Sequence, residues 1–472
     1  MKLTRPAAAA VATVALAAVA IPAVTQSRDE APRTALVQAA SSAVTTSLQP
    51  QPTTAAVTSA SSSAVSATSA AAPSPVVATQ TSASKEPNGA SVPDGDLQAI
   101  ANAVDEALTG DTPEGAMENM PTLADDSSKR PTKEHVSRLF EAPKDYQDKP
   151  QAWFNQVRAL GGEAVSVYSD SMKRDIPVAV LPARDEFGQR VEGAPTYYLL
   201  NGAGGSEQNT DWLVQAPENV RDVFKGQRVN VVIPMEGAFS YYIDWLTVPE
   251  ENIYYRGKQL WTTFLGEELP YAIEDYLGAN DLRAVTGFSM SATSSLLLAE
   301  HYPNRYAAVG SFSGCAATST PLPSFFVGLT VNRGSAGKGN ITPENLWGPR
   351  GSEYNRYNDA LVMADKLAGT GTHIYMSSGT GLAAETDMVG YLKNVRKLTS
   401  TQALSNSLTL NVEGGAIEGA MNACSHDLHT KLKSLDVPVT FNQRPVGTHS
   451  WPLWRDDLAV SWDQVIKPAL GL

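Results

Sequence analysis

Cysteine is almost absent from this chain of 472 residues, which contains only Cys315 and Cys424. There is no C-x-x-C pair, no H-E-x-x-H motif and no phosphate-binding loop, so the sequence predicts no metal site and no cofactor. Basic residues are also few, because 36 Lys and Arg stand against 49 Asp and Glu, a net charge of -13. This balance argues against nucleic acid as a partner.

Long apolar runs are missing from the chain after its first residues. Met1 to Pro6 is basic, and Ala7 to Val24 is apolar and rich in alanine, with small and polar residues after it. This order is typical of a secretory signal peptide, which we place at residues 1–26. A retained membrane anchor is the alternative. We expect an exported protein, either secreted or associated with the cell envelope. In that setting two cysteines predict one disulfide, with two buried free thiols as the alternative.

Aromatic residues are absent from residues 27–92, which consist mainly of Ala, Ser, Thr, Pro and Val. Such a segment cannot bury enough apolar surface to fold, so residues 27–94 are predicted to form a disordered stalk. Apolar residues at helical spacing then predict a helical extension over residues 95–162. Its helices are expected at Asp96 to Leu108, Lys133 to Glu141 and Ala152 to Leu160.

Short apolar segments alternate with helical ones from Ala164 onward. This alternation predicts an α/β domain over residues 163–472, with a mostly parallel central sheet flanked by helices. The expected strands are Val165 to Tyr168, Ile176 to Leu181, Thr196 to Leu200, Val229 to Pro234, Ala284 to Gly287, Ala307 to Phe312, His373 to Ser377 and Pro438 to Asn442.

A strand, a sharp turn and a helix are predicted around Ser289. A largely apolar run from Leu282 to Thr286 is broken by Gly287, Ser289 stands at the turn, and leucines follow at helical spacing. In this context G-x-S-x-G marks a nucleophile elbow, although Ser291 replaces the last glycine. A serine that only caps the helix is the alternative.

A serine nucleophile needs a histidine base, an orienting carboxylate and two oxyanion donors. Of six histidines, His449 lies in a glycine-bearing loop between the last strand and the last helix, where such a base is expected. Spacing leaves the acid open among several carboxylates. These are Glu385, Asp387, Glu413, Glu418, Asp427 and Asp436. The backbone N–H groups of Met290 and Ala203 are the predicted oxyanion donors, because Ala203 follows a strand in a glycine-rich turn.

Several motifs, taken in order, resemble the secreted mycolyltransferases of the antigen-85 type and especially their corynebacterial relatives. The resemblance covers about Ala164 to Leu472. It rests on Ser169 to Ile176, Leu199 to Gly202, Phe239 to Trp245, Trp261 to Phe264, Gly287 to Ser291, Trp347 to Pro349, Asn358 to Asp359, and Gly447 to Trp451.

The resemblance implies an α/β-hydrolase fold and selects Glu418 as the third member of the triad. It implies trehalose monomycolate as the acyl donor, with a second trehalose monomycolate, arabinogalactan or a protein hydroxyl as the acceptor. Substrate contacts are implied at five positions, although the mycobacterial members carry Asp and Arg where this chain has Asn201 and Gly204. The five positions are Asn201, Gly202, Trp245, Ser450 and Trp451.

Two other functions stay open at this point. A secreted carboxylesterase would use the same triad with water as the acceptor. A non-catalytic cell-wall binding protein would have the same fold without catalytic activity. The sequence carries no signal for an oligomeric state.

Overall fold

The computed structural model describes residues 130–472, and the structural statements below concern that part of the chain. The predicted signal peptide, stalk and first helix of the extension lie outside the described residues. Within residues 130–472, no helix combines the length and the apolar character needed to cross a membrane.

Nine strands form one sheet in the order β1-β2-β3-β5-β4-β6-β7-β8-β9. The first four strands in this order pair antiparallel, and the pairs from β5 to β9 are parallel. The strands are β1 Val136–Arg138, β2 Glu163–Ser169, β3 Arg174–Leu181, β4 Thr196–Leu199, β5 Asn230–Pro234, β6 Arg283–Phe288, β7 Ala308–Phe312, β8 His373–Ser378 and β9 Val439–Gln443.

The eight predicted strands are all present, and the central ones are buried on both faces. Every residue of β5, β6 and β7 is buried, as expected for parallel strands between two helical layers. Alternate residues enter opposite cores: Tyr198 and Val232 pack in one, and Tyr197 and Val231 in the other. The predicted α/β-hydrolase architecture, with a mostly parallel sheet flanked by helices, is confirmed.

Helices cover both faces of the sheet. The α-helices are α1 Trp153–Ala159, α2 Trp212–Gln215, α3 Pro217–Phe224, α4 Trp261–Thr263, α5 Leu269–Leu277, α6 Met290–His301, α7 Pro321–Gly334, α8 Pro343–Trp347, α9 Glu353–Tyr357, α10 Ala360–Met363, α11 Val389–Asn394, α12 Ser400–Thr409, α13 Gly415–Ser434, α14 Trp451–Ser461 and α15 Lys467–Ala469. Short π-helical segments extend three of them, at Phe264–Glu268, Leu410–Gly414 and Trp462–Ile466. Single 3₁₀ turns occur at Lys133–His135, Ser206–Gln208, Ala364–Leu367 and Glu385–Asp387.

The predicted helix over Lys133 to Glu141 is wrong. The segment forms the 3₁₀ turn and then β1, whose Val136 pairs with Val167 on the edge of β2. No residue of the turn is buried, so a helix here would gain no packing, whereas the open edge of β2 offers backbone hydrogen bonds. The helix expected at Ala152 to Leu160 is present as α1, with Trp153 buried beside the sheet.

The carboxyl ends of the parallel strands lie along one edge of the sheet. The loops that leave this edge contain Gly202 after β4, Ser289 after β6, Ser313 after β7, Gly379 after β8 and His449 after β9. Ligand sites of open α/β sheets form at this edge.

Candidate active site

Ser289 lies on a strained turn between β6 and α6. Its φ of 56° and ψ of -122° form a combination that residues with a Cβ rarely adopt. Gly287 permits the turn, because a Cβ there would overlap the backbone oxygen of Ser291. Ser291 is tolerated in place of glycine because its Oγ accepts from Phe288 N at 3.0 Å and lies 3.1 Å from Phe288 O. The turn therefore presents Ser289 as a nucleophile elbow does.

A continuous hydrogen-bond chain joins three of the predicted residues. The Ser289 Oγ lies 2.7 Å from His449 Nε2, and His449 Nδ1 lies 2.7 Å from Glu418 Oε2. Because His449 Nδ1–H donates to the carboxylate, Nε2 is left to accept the proton of Ser289. This arrangement brings together residues that are 129 and 31 positions apart in the chain.

Glu418 is buried and held in place by two further donors. Its Oε1 accepts from Ser313 Oγ at 2.8 Å and from the backbone N–H of Gly379 at 2.7 Å. The residue lies in the first turn of α13, which continues from α12 through the π-helical segment Leu410–Gly414. With both oxygens engaged, the carboxylate has one orientation in which to hold the imidazole.

The loop that carries His449 is fixed by its backbone. His449 N donates to Gly414 O at 3.0 Å, and Gly381 N donates to Gly447 O at 2.9 Å. Gly447 has a φ of 132°, which favours glycine, and the edge of the His449 ring faces Trp454 with 5.1 Å between ring centroids. The base is therefore positioned by the loops after β8 and β9 and by the start of α13.

The loop of Ala203 is tied to the loop that follows β5. Phe239 N donates to Ala203 O at 2.7 Å. Glu207, which is buried, accepts from the N–H groups of Gly237 and Ala238 at 2.9 and 3.0 Å through Oε1. Met290 is the first residue of α6, where helical N–H groups have no carbonyl partner within the helix. Both proposed donors thus belong to backbone segments with fixed geometry.

A cavity of about 700 Å³ contains Ser289 and His449 in its wall. Its wall combines backbone from the glycine-rich loop with aromatic, apolar and polar side chains. The lining residues are Gly202, Ala203, Gly204, Thr210, Gln215, Asn219, Phe288, Ser289, Thr386, Tyr391, Leu392, Arg396, Leu398, Asn406, Leu410, His449, Ser450, Trp451, Pro452, Trp454, Arg455 and Asp456.

Three of the five residues with implied substrate contacts line this cavity, and two lie elsewhere. Gly202, Ser450 and Trp451 are in the wall. Asn201 is fully buried, where its Nδ2 donates to Pro234 O at 2.9 Å and its Oδ1 accepts from Trp212 N at 3.2 Å. Trp245 is buried and donates to Ser240 O at 2.9 Å. The side chains of Asn201 and Trp245 thus stabilise loops around the cavity.

The two cysteines form the predicted disulfide. Cys315 and Cys424 have their Cα atoms 5.0 Å apart and are separated by 109 positions in sequence. Cys315 follows β7 two residues after Ser313, and Cys424 lies on α13 with Glu418. The bond therefore joins the helix of the carboxylate to the loop of one of its hydrogen-bond donors.

Sequence reasoning missed Ser313, Gly379 and Glu207. Ser313 and Gly379 directly follow β7 and β8, and Glu207 lies in the 3₁₀ turn of the loop after β4, so their positions at the carboxyl edge of the sheet were the available signal. Ser313 also has a φ of 52°, a conformation that only the structure reveals. Among the alternative acids, Asp387 is the buried one, and its carboxylate accepts from Ala384 N at 2.9 Å.

Residues 169–463 match the family described as "Putative esterase". Ag85C of Mycobacterium leprae is 28% identical over 302 residues, which cover 63% of this chain and 78% of the relative. Ag85A of Mycobacterium bovis (strain BCG / Pasteur 1173P2) is 30% identical over 302 residues, which cover 62% and 77%. Both are named diacylglycerol acyltransferase/mycolyltransferase.

The chain belongs to the esterase family, as an antigen-85-type mycolyltransferase. Among solved structures, MPT51 (FbpC1) of Mycobacterium tuberculosis matches 65% of this mycolyltransferase and 98% of its own chain, with 22% identity and a TM-score of 0.48. The esterase match includes the elbow, the acid helix and the histidine loop. The mycolyltransferase is therefore an enzyme, an acyltransferase, and the alternative of a non-catalytic binding protein is not supported.

Proposed function

We propose that this enzyme transfers a mycolyl group from trehalose monomycolate to a hydroxyl group of a sugar or a protein, through an acyl-enzyme on Ser289. The observation that carries the proposal is the unbroken chain from Ser289 Oγ through His449 to Glu418, with 2.7 Å at each step. Serine nucleophiles of acyl-transfer enzymes are activated in this way.

In the first half-reaction, Ser289 Oγ forms a bond to the ester carbonyl carbon while its proton moves to His449 Nε2. The tetrahedral intermediate places its negative oxygen toward the N–H groups of Ala203 and Met290. The bond between the carbonyl carbon and the sugar oxygen then breaks, and the sugar oxygen takes the proton from His449. Glu418 keeps the imidazole in the required tautomer and stabilises its charged form.

In the second half-reaction, the acceptor hydroxyl gives its proton to His449 Nε2 and attacks the acyl carbon. Ser289 Oγ leaves and recovers the proton, so the enzyme returns to its starting state. Water that reaches the same position would release the free acid. Hydrolysis is therefore the second candidate function, and the esterase match over residues 169–463 favours keeping it.

The identity of the acyl group and the location of the enzyme rest on the relatives and on the sequence. The relatives are named for mycolyl transfer. The cavity offers Phe288, Trp451 and Trp454 beside the nucleophile, a surface that suits a sugar face or an alkyl chain. Export by the predicted signal peptide would bring the enzyme to the envelope, where such glycolipids occur.

The test is an assay of the purified chain with trehalose monomycolate that scores trehalose dimycolate and free mycolate. We expect dimycolate, or acylated arabinan or protein when these are added, in excess over free mycolate. The variant Ser289→Ala is the matched control and should form neither product. Free mycolate alone, with every acceptor present, would establish the esterase instead.

A further inference from the structure

Two arginines lie in the wall of the catalytic cavity. Arg396 is in the loop between α11 and α12, and Arg455 is in α14, six residues after His449. Asp456 is the carboxylate in this wall, and it is exposed. The cavity thus carries more positive than negative side chains, although the whole chain has a net charge of -13.

Neither arginine is neutralised by an ion pair within residues 130–472. Arg455 donates through Nε to Gln215 O at 2.9 Å and through Nη2 to the same oxygen, which is a neutral acceptor. The side chain of Arg396 makes no hydrogen bond or ion pair with the described residues. Each guanidinium has five N–H donors, so most of them are left for a ligand.

The charge of Arg396 acts on Arg455 in the same cavity wall. Burial lowers the pKa of Arg455 first, and the charge of Arg396 lowers it further, while Tyr391, Asp456 and Glu218 oppose the shift. Two like charges in one cavity wall repel each other, and a bound anion would reduce this repulsion.

An unsatisfied hydroxyl and the local composition support the same conclusion. The Oγ1 of Thr386 is buried without a hydrogen-bond partner and belongs to a cavity-lining residue. Residues 388–412, which form the hairpin of α11 and α12, contain Lys393, Arg396 and Lys397 and no Asp or Glu. Positive charge therefore continues from the cavity onto the hairpin beside it.

We propose that Arg396 and Arg455 bind an anionic group, a phosphate or a carboxylate, on the molecule that receives the acyl group. Guanidinium groups bind such groups through paired hydrogen bonds. The binding of the anion stands on the cavity alone. Its assignment to the acceptor rests on the proposed transfer function.

The binding test uses the purified Ser289→Ala chain, so that turnover does not interfere, with octyl phosphate and octyl glucoside below their aggregation concentrations. Affinity is measured by calorimetry and by tryptophan fluorescence, since Trp451 and Trp454 line the cavity. We expect octyl phosphate to bind about tenfold more tightly, the equivalent of one charge-assisted interaction. Added salt should weaken the phosphate and leave the glucoside unchanged. Equal affinities would overturn the proposal.

Substitutions of the two arginines test whether they bind the anion. Arg396→Gln and Arg455→Gln, each added to Ser289→Ala, should remove most of the preference for phosphate. Arg396→Gln is the more informative variant, because the exposed side chain of Arg396 contacts no residue that depends on it, so its loss should not disturb the fold. The control is Arg228→Gln, an exposed arginine that lines a separate cavity near the amino ends of β5 and β6. A preference that survives Arg396→Gln and Arg455→Gln, or falls equally in Arg228→Gln, would contradict the assignment.

A competition experiment with inorganic phosphate distinguishes a site for the free ion from a site for an anionic head group on an alkyl chain. If inorganic phosphate displaces octyl phosphate at similar concentration, the site recognises the free ion. If it does not, the alkyl chain and the anion are bound together. In either case the binding of octyl phosphate should depend on Arg396, so it should weaken in Arg396→Gln.

A transfer arm tests the acceptor directly with the unsubstituted enzyme. Glycerol 3-phosphate and glycerol are offered as acceptors of the acyl group of a water-soluble ester, and products are identified by mass spectrometry. We expect glycerol 3-phosphate to be preferred, with the preference reduced in Arg396→Gln. Selective binding without transfer to either acceptor would keep the anion site and refute its assignment to the acceptor, whereas acyl transfer itself is tested by the assay with trehalose monomycolate. Equal transfer together with equal binding would refute the anion site and keep acyl transfer.

Discussion

Cys424 lies less than two helical turns beyond Glu418 on α13, and its disulfide to Cys315 joins that helix to the loop of Ser313. Ser313 donates to Glu418 Oε1 at 2.8 Å. The covalent bond and the hydrogen bond therefore connect the same two segments. We therefore expect the orientation of the carboxylate to depend on the distance between these two segments.

Reduction of the disulfide should lower activity before the domain unfolds. The bond closes a loop of 109 positions, which could contribute about 4 to 5 kcal/mol in the chain-entropy model, although engineered examples often give less. Ester turnover and near-UV circular dichroism are followed together while reductant is added. We expect turnover to fall first, because Glu418 loses its fixed position.

The matched variant for this test is the pair Cys315→Ala and Cys424→Ala, which should show low turnover and no response to reductant. Two free thiols in the native protein, measured by mass spectrometry, would contradict the disulfide. Unchanged turnover after complete reduction would keep the bond and exclude its proposed effect on Glu418.

The triad residues should act as a unit. Glu418→Ala and His449→Ala are each expected to cripple turnover, and the double variant should be little worse than His449→Ala alone. The reason is that Glu418 acts on the reaction through the imidazole, 2.7 Å away. The measurement is kcat/KM for a soluble ester, with folding checked by circular dichroism.

Two further carboxylates serve as controls for the choice of acid. Glu385→Ala is expected to retain turnover, because the residue is exposed. Asp387→Ala is expected to affect stability more than chemistry, since its carboxylate accepts from Ala384 N and Ser450 Oγ and not from His449. A severe loss in either variant with a mild loss in Glu418→Ala would show that the wrong acid was selected.

The buried Glu207 should make stability fall as the pH rises. Burial raises its pKa to about 7 from 4.5, against backbone hydrogen bonds from Ala238 and Gly237 and with the charge of Glu236 adding to the rise. Because the folded state holds the proton more tightly, the stabilising effect is complete below pH 4.5 and is lost as the pH rises through about 7. The change is on the order of 3 kcal/mol.

The variant Glu207→Gln should remove this part of the pH dependence. Between pH 5 and pH 8, the free energy of unfolding measured in urea should fall less in this variant than in the unsubstituted enzyme. The exposed Glu192→Gln is the control and should leave the pH dependence unchanged. A Glu207→Gln variant with the original pH dependence would show that this carboxyl is not the group responsible.

Gly202 should tolerate no side chain. A Cβ at this position would lie 2.5 Å from the ring of Phe288, so Gly202→Ala should displace the neighbouring Ala203. Loss of one oxyanion donor lowers kcat by about 10²–10³. The control is Gly390→Ala, where a Cβ would have no neighbour within 4 Å. Normal kcat in Gly202→Ala would argue against Ala203 as a donor.

Some strands and site residues could be predicted from the sequence, and others could not. Strands such as β6 were predictable because a buried strand is largely apolar. Ser289 was predictable because glycine and serine mark the turn. The strand β1 was not, because Val136 to Arg138 form a strand only through pairing with β2. The roles of Ser313 and Gly379 depend on loops that meet in space, and spacing in the chain does not encode that meeting. Glu418 could be selected only by resemblance for the same reason.

The most direct measurement is the mass of the enzyme during turnover of a soluble p-nitrophenyl ester, quenched within the first turnovers. If Ser289 carries the acyl group, the mass of the enzyme should increase by the mass of that acyl group. Peptide mapping should place it on Ser289, and Ser289→Ala should show no increase and a loss of about 10⁵–10⁶ in rate. An acyl group on another residue, or Ser289→Ala activity within about tenfold of the unsubstituted enzyme, would contradict the account.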